Sequence, residues 1–519
     1  MRLKSFSLFA IILLFKLLLL VSSHSDNEKS LSTSISGMVQ LLETEMQLID
    51  SVEKYAAVLQ KKVDALKNLV QELKAENEKS ANKREEYLFN PLNGFSLIRR
   101  MHNDWPKIEL FMREPVGEVH IDVIRNYRPE MPTATDLEEA SEALNRLQTV
   151  YDLKAADLVQ GILNGKQHDA KLKSIDSYFM GHYLLSKQLY YPAGFWLYSS
   201  IMNYEEENDF NRITDFGKEK PLELYAETLI LQNRPKDALS SITQASDLLP
   251  LDARLLNRKN QIQQLANIFD GPAMHFPTPH VYNYERGCRG EFSNQTSKMY
   301  CLYNTTTTPF LRLAPIKMEI IHLEPYMVLF HDVISDEEIE HLKNLARPNL
   351  KRATVYNDEK ARSLVVNTRT SKFSWFQDNT DEITKRINKR IIDMTGFDIV
   401  GSEMLQVMNY GLGGHYDKHF DFFNVTADTA VVAKEGDRIS TVLFYLTDVE
   451  QGGATVFPNI KTAVFPRKGS AVMWYNLDNK LEGDYLTLHA ACPVIVGSKW
   501  VCNKWIRAKA QTFRRPCYK

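Results

Sequence analysis

The sequence predicts a multi-domain α + β protein: an N-terminal coiled-coil and helical dimerisation region, a tetratricopeptide-like α domain, and a C-terminal β barrel or jelly roll. Three observations predict it. An apolar heptad pattern runs from Ile35 to Leu73. A helical, tyrosine-rich stretch follows, with small residues at repeat-like intervals. From about Ile320, short β-rich runs alternate with glycine-containing turns. Length agrees, because 519 residues exceed what a single core supports.

The first residues have the pattern of a segment that is expected to be removed. Arg2 and Lys4 precede an apolar run from Phe6 to Val21, and the small residues Val21 and Ser23 are spaced for cleavage after Ser23. Residues 1–23 therefore read as a secretory signal peptide. The run is short for a bilayer and carries Lys16, and no later stretch suits a membrane span. A net charge of −2 gives no electrostatic reason to expect a nucleic-acid partner.

Residues 24–145 are assigned to the dimerising region. The a-like positions are Ile35, Leu42, Ile49, Ala56, Val63 and Val70, and the d-like positions are Met38, Glu45, Val52, Leu59, Leu66 and Leu73. Only Glu45 breaks this narrow seam, and its flanks are charged, which predicts self-association.

Residues 146–255 form the repeat-like domain. Gly181, Leu184, Ala193, Leu197 and Ser200 fit one frame, and Ala226, Ala238, Ile242, Ala245 and Pro250 fit another. Small residues are needed where paired helices touch closely. The stretch "YFMGHYLLSKQLYYPAGFWLY" brings Tyr178, Tyr183, Tyr190 and Tyr191 close in sequence. Flat aromatic rings suit a polyproline II surface, so these four are candidates for binding a proline-rich peptide; composition alone favours helical core filling.

Residues 256–319 are rich in Pro, Asn and Thr and read as a linker. Asn294 and Asn304 open glycosylation sequons in this polar stretch, and a third sequon starts at Asn424. Five cysteines, at 288, 301, 492, 502 and 517, suit one or two disulfides in an oxidising compartment. No CxxC pair or zinc-type spacing occurs.

Residues 320–519 carry the chemistry. "GGHYDKHFDFF" holds two His-x-Asp triplets, His415/Asp417 and His419/Asp421. Residues two apart on a strand point to one face, as two donors of a facial iron site must. His-x-Asp also occurs at His24, His102 and His120, so context decides. Only the last two triplets lie in the β region, before a strand series that brings a lone His489 and, ten residues later, Lys499. Two histidines and one carboxylate leave three iron positions open, enough for a bidentate 2-oxo acid and dioxygen. A lysine deep in the barrel would pair with the acid's distal carboxylate. All four triplet residues share strand parity, so spacing leaves the choice between the triplets open.

The segments "NYGLGGHYDKHFDF", "LFYLTDVEQGGATVFP", "KGSAVMWYNL", "GDYLTLHAACPVIVGSKWVCNKWI" and "FRRPC" resemble the catalytic alpha subunits of the collagen prolyl 4-hydroxylase family. The order of parts is similar too. The resemblance implies a double-stranded β-helix over 320–519 that hydroxylates peptidyl proline at C4 in collagen-like X-Pro-Gly sequences. It implies Fe(II) held by His419, Asp421 and His489, with 2-oxoglutarate held by Lys499 and Tyr410. O2 and L-ascorbate complete the cofactor set. Arg507 stands where the family has a histidine near the cosubstrate, and its guanidinium, which can also bind a carboxylate, is expected to contact 2-oxoglutarate there. Disulfides Cys288–Cys301 and Cys492–Cys517 are implied, as is a tetramer of two alpha chains with two protein disulfide isomerase subunits. The chain ends "RRPCYK", so retention in the endoplasmic reticulum lumen is expected to come from that partner. The alternatives are a hydroxylase of lysine or of a non-collagen proline-rich protein, and a catalytically idle peptide-binding subunit.

Overall fold

The computed structural model describes residues 35–512 and 514, apart from 207, 270, 273, 275–279, 293–299, 354, 358–361, 365–368 and 424–428. The expected signal peptide, Asn294, Asn424 and Cys517 lie outside the described residues. The chain forms two compact units, Ile35–Leu137 and the part from Glu138 onward.

In the first unit, α1 (Ile35–Glu78) is one unbroken helix of 44 residues. No proline interrupts it, and its one glycine, Gly37, lies in the first turn. It packs on α2 (Glu118–Tyr127), which is entered through Gly117 at φ +77°. A side chain at Gly117 would meet the Tyr55 ring at 2.4 Å, so glycine serves both the turn and the close approach here. Much of the heptad seam faces outward: Leu42, Ile49, Val52 and Val63 are all exposed.

The second unit begins within α3 (Ala134–Tyr151), which crosses the expected boundary at 145/146. After it come α4 (Ser174–Ser186), α5 (Tyr190–Met202), α6 (Glu219–Leu231), α7 (Pro235–Leu248) and α8 (Ala253–Ile268). α4 packs on α5, α5 on α6, α6 on α7 and α7 on α8. Small residues make the close contacts: Ala193, Ala226, Ala238 and Ala245 are fully buried, and a Cβ at Gly181 would lie 2.6 Å from Leu197 Cγ. α8 runs past residue 255, so the helical layer is longer than expected.

The short α9 (Asn283–Cys288) leads to β1 (Cys301–Asn304), β2 (Ile316–Leu323) and β3 (Tyr326–His331). Then come α10 (Asp336–Ala346), β4 (Lys351–Arg352), β5 (Ser371–Phe376), α11 (Glu382–Thr395) and β6 (Leu405–Tyr410). The remaining strands of the two sheets are β7 (Tyr416–His419), β8 (Arg438–Tyr445), β9 (Thr455–Phe457), β10 (Thr462–Val464), β11 (Ala471–Tyr475), β12 (His489–Ala491) and β13 (Lys499–Arg507). A nine-stranded sheet has the order β1-β2-β3-β11-β8-β13-β6-β5-β4, and a four-stranded sheet the order β7-β12-β9-β10.

Strand alternation divides the core. On β8, Val442 and Phe444 pack with Ile339 and Leu342 of α10 and Ile387 and Ile391 of α11. Leu443 and Tyr445 point the other way and join Phe457, Val464 and Ala491 of the small sheet. Two sheets meeting across such a layer make the sheet-rich jelly roll. A third apolar cluster ties Leu147, Val150 and Tyr151 of α3 to Val456, Ala490 and Cys492. Tyr151 donates its hydroxyl to Pro493 O at 2.6 Å. The helical layer is therefore docked on the β domain through a shared core.

Three expectations need correction here. The stretch 256–319 is not only a linker, because β1 and the start of β2 are integral to the large sheet. Neither expected disulfide pairing is present: Cys288 pairs with Cys492, with Cα atoms 5.6 Å apart. α9 packs on β9, beside β12, which aims Cys288 at the end of β12, while Cys301 opens an edge strand and is free and exposed. Asn304 is buried at 5% exposure, and its Oδ1 accepts from Thr306 N, Thr307 N and Thr307 Oγ1. Its amide nitrogen faces Met394 O, so Asn304 turns the chain after β1 and presents no acceptor nitrogen to solvent.

Candidate active site

β7 carries the two triplets, and it is not straight. Tyr416 pairs with Ala491 and His419 with His489, three residues against two, so a bulge lies between them. The bulge breaks the parity that had left all four triplet residues equivalent. Tyr416 and His419 now lie on one face, their rings stacked with centroids 3.6 Å apart. His415 and Asp417 point away. His415 Nε2 lies 3.2 Å from Asp417 Oδ1, and its Nδ1 lies 2.8 Å from Thr370 Oγ1.

His419, Asp421 and His489 converge, each offering a donor atom within 4.8 Å of the other two. Asp421 Oδ1 lies 3.7 Å from His419 Nε2, and Oδ2 lies 3.6 Å from His489 Nε2. Both imidazoles face their backbone partners with Nδ1: His419 toward Asp417 O at 2.7 Å, and His489 toward Thr487 O at 3.0 Å. A carbonyl only accepts, so Nδ1 carries the proton in each ring and both Nε2 lone pairs are free for a metal. Burial, then neighbouring His489, pushes His419 down to about 3, which keeps it neutral. Burial opposes ionisation of Asp421, but the two imidazoles, Arg438 and the Thr441 hydroxyl together hold its carboxyl below the usual range. Thr441 Oγ1 donates to Asp421 Oδ2 at 2.7 Å and accepts from Asn476 Nδ2 at 2.9 Å.

The triad opens on a cavity also lined by Arg369, Tyr410, Tyr416, Trp474, Lys499 and Trp505. Lys499 is 1% exposed, and its Nζ has no hydrogen-bond partner among the described residues. Burial alone pulls its ammonium down to about 7. The neighbouring ring is Tyr410, cross-strand from Lys499 and with its centroid 5.0 Å from Nζ. Burial also raises the Tyr410 phenol to about 12, so it remains a hydrogen-bond donor. The donor set fits a divalent iron with open positions. The unpartnered Nζ fits a carboxylate group placed beside that metal.

Comparison with known proteins agrees with this chemistry. Residues 34–165 match the family model for the prolyl 4-hydroxylase alpha-subunit N-terminal region, and residues 405–507 match the 2OG-Fe(II) oxygenase superfamily. The chain is 36% identical to prolyl 4-hydroxylase subunit alpha-2 of Caenorhabditis elegans, covering 95% of this chain and 94% of that protein. It is 34% identical to the human subunit alpha-1, covering 93% and 95%. The chain belongs to the prolyl 4-hydroxylase alpha-subunit family. Among solved structures, it is similar to a viral collagen prolyl hydroxylase of Paramecium Bursaria Chlorella virus-1 in complex with 2OG. That similarity is 26% identity over 35% of this chain and 96% of the viral one, at a TM-score of 0.28. The curated relatives and the oxygenase-superfamily match make the enzyme a proline 4-dioxygenase of the 2-oxoglutarate and iron(II) class.

Other expected site residues of the hydroxylase are placed differently. Arg507 lies at the end of β13, outside the cavity lining, with Nη2 2.9 Å from Glu403 and Nη1 donating to Gly436 O. Its assignment to the cosubstrate is corrected, since the guanidinium is committed to Glu403. Tyr183 belongs to the core between α3 and α4 and cannot line an open groove, a second correction. Tyr178 is half-buried against Phe216, with ring centroids 5.4 Å apart. Tyr190 and Tyr191 are half-buried at the start of α5. Exposed rings of this layer include Phe179, Phe195, Phe210 and Tyr198, the last beside Tyr225.

Sequence reasoning missed two cavity-lining groups, Arg369 and Tyr416, and a third, Arg438, that sits behind Asp421. Arg369 is buried, lies over the Tyr416 ring at 4.7 Å, and contacts Gln406. Tyr416 covers His419. Arg438 grips Glu403 through two 2.6 Å contacts, donates to Asp421 O and lies 4.0 Å over the Trp505 ring. Arginine among aromatics in "TRTSKFSWF" was the available signal for the first; pairing across distant strands hid the other two.

Proposed function

We propose that the chain hydroxylates C4 of proline in collagen-like X-Pro-Gly sequences, with His419, Asp421 and His489 holding Fe(II) and Lys499 and Tyr410 holding 2-oxoglutarate. The observation that carries this reading is the convergence of three neutral-or-anionic donors beside a buried, unpartnered lysine. Iron held by these three donors, with 2-oxoglutarate and dioxygen, would supply the oxidant for the ring C–H bond, and ascorbate would keep that iron reduced. The chain's own residues bind and orient. Thr441 and the Thr487 and Asp417 carbonyls aim the donors, and Trp474 and Phe457 exclude water around His489. The test is hydroxylation of (Pro-Pro-Gly) repeats against lysine-bearing and non-collagen proline-rich peptides. Preference for either of the latter would redirect the substrate assignment, and absent 2-oxoglutarate turnover would favour an idle subunit.

The helical layer suits capture of the proline-rich chain, with the rings of Tyr178, Tyr190 and Tyr191 joined by exposed Phe195 and Tyr198. Replacing Phe195 and Tyr198 by Ala should weaken (Pro-Pro-Gly) binding about tenfold or more, since each lost aromatic contact is worth ~1 kcal/mol. Titration calorimetry checks this, and unchanged affinity would move the groove elsewhere.

The outward seam of α1 suits pairing of two alpha chains, within an assembly with protein disulfide isomerase in the reticulum lumen. Leu42→Glu with Ile49→Glu should abolish that pairing, because a charge desolvated in an interface costs several kcal/mol. Sedimentation of the double variant with unchanged mass would sink the assignment.

A further inference from the structure

The triplet that points away from the cavity has a place in the fold. His415 and Asp417 line a cleft together with Glu142, Arg146 and Thr149 of α3 and with Tyr284. α3 lies hard against the loop before β7: a Cβ on Gly413, at φ +52°, would sit 2.7 Å from Ala143 O. Arg146, with a side chain only 14% exposed, donates Nη1 to Gly413 O at 3.1 Å. Its charge faces Asp417 across the cleft. The loop is also held from its other side. Thr370 N donates to His415 O at 3.0 Å, His415 N donates to Thr370 Oγ1 at 3.1 Å, and Val494 N donates to Gly414 O at 3.3 Å. The last element of the series is Asp417 O, which accepts the Nδ1 proton of His419. That bond sets the tautomer and the aim of one of the three donors.

We propose that Arg146 and His415 are positioning residues for the iron site: they brace the Gly413–Asp417 loop so that the Asp417 carbonyl holds His419 in its metal-binding orientation. The inference rests on the donor assignment above and extends it to α3. Arg146 acts from the helix that leads into the tyrosine-bearing layer. Besides the shared apolar core, Arg146 thus gives the helical layer a polar contact with the loop that aims one iron donor. His415 acts from within the loop, by gripping Thr370 with Nδ1 and Asp417 with Nε2. Neither residue touches the metal, so their removal leaves all three donors present but one of them loosely aimed.

The test is the affinity of the full-length chain, in its assembled form, for Co(II) as a spectroscopic stand-in for Fe(II). It is read from the cobalt absorption bands for the parent, Arg146→Ala, Arg146→Lys, His415→Gln and His419→Ala. Loss of an outer hydrogen-bond partner typically costs 10–100-fold in metal affinity, so Arg146→Ala and His415→Gln should each weaken binding by about tenfold. Arg146→Lys keeps a cationic donor for Gly413 O and should recover most of the loss. A bracing role also predicts altered band positions, because the geometry at His419 changes, which a general loss of stability would not produce. His419→Ala should bind no cobalt at this site; if it binds normally, the donor assignment itself fails. If His419→Ala loses the metal while Arg146→Ala and His415→Gln bind within twofold of the parent with unshifted bands, only the bracing role is overturned. Equal loss in Arg146→Lys and Arg146→Ala also overturns it. Should Arg146→Ala fail to fold, His415→Gln decides alone, by the same two readouts.

Discussion

His419→Ala and Asp421→Ala should each abolish hydroxylation, by more than the ~100-fold that loss of a supporting hydrogen bond can cost. The reason is geometric. A facial site with two imidazoles and one carboxylate has no spare protein donor. Among the described residues, no other group of histidines, cysteines and carboxylates converges in this way. Asp421 is the only anion of the set, and its loss also strands the Thr441 hydroxyl that donates to it. His415→Ala and Asp417→Ala are the matched controls, one turn of the same sequence pattern upstream. Their side chains face α3, so at saturating iron and 2-oxoglutarate turnover should stay within about tenfold of the parent. Steady-state assays of the four variants side by side check this. Activity surviving in His419→Ala and lost in His415→Ala would invert the assignment.

That comparison also marks where sequence reasoning runs out. Period-two alternation makes His415, Asp417, His419 and Asp421 equivalent, and it fails because a bulge sits between Tyr416 and His419. A bulge depends on what pairs across the strand, here β12, some seventy residues away, and leaves little local trace. Elements specified by local pattern were more legible. The apolar period from Ile35 to Leu73, broken only at Glu45, corresponds to one continuous helix, and the β-rich runs after Ile320 correspond to strands of the two sheets. β1 was missed because "CLYNTTTT" has the composition of a loop, and only its pairing with β2 makes it a strand. Tyr183 was misplaced for a related reason. A tyrosine count does not say which helix face is inward, and α3 and α4 bury that one. The same ignorance of partners concealed Arg438, whose role depends on Glu403, Asp421 and Trp505 arriving from three separate segments.

Lys499→Met should make the cosubstrate-free protein more stable while removing its response to 2-oxoglutarate. An ammonium buried without a partner opposes folding, and here burial lowers its pKa from 10.5 to about 7. The sign follows from proton counting. Between about pH 7 and 10.5 the unfolded chain holds a proton on Lys499 that the folded chain has shed. The unfolded state therefore binds more protons, and stability of the parent rises with pH across that window. Below it the penalty is fully present, and above it the penalty is gone. At neutral pH a shift of that size corresponds to on the order of 4 kcal/mol, which methionine, of similar length and apolar, recovers. The gain of Lys499→Met over the parent should then shrink as pH rises toward 10.5. With 2-oxoglutarate the order reverses. The parent gains stability by mass action as the distal carboxylate pairs with the ammonium, and the variant, lacking the cation, gains little. Hydroxylation should fall steeply through the 2-oxoglutarate requirement, with Co(II) affinity retained because His419, Asp421 and His489 are untouched. Thermal unfolding of both proteins between pH 6 and 10, with and without 2-oxoglutarate, reads the stability changes, and titrations of turnover with 2-oxoglutarate and of the chain with Co(II) read the other two. A variant that melts lower than the parent at neutral pH and is still stabilised by 2-oxoglutarate would show that Lys499 is a satisfied core residue and that another cation takes the acid.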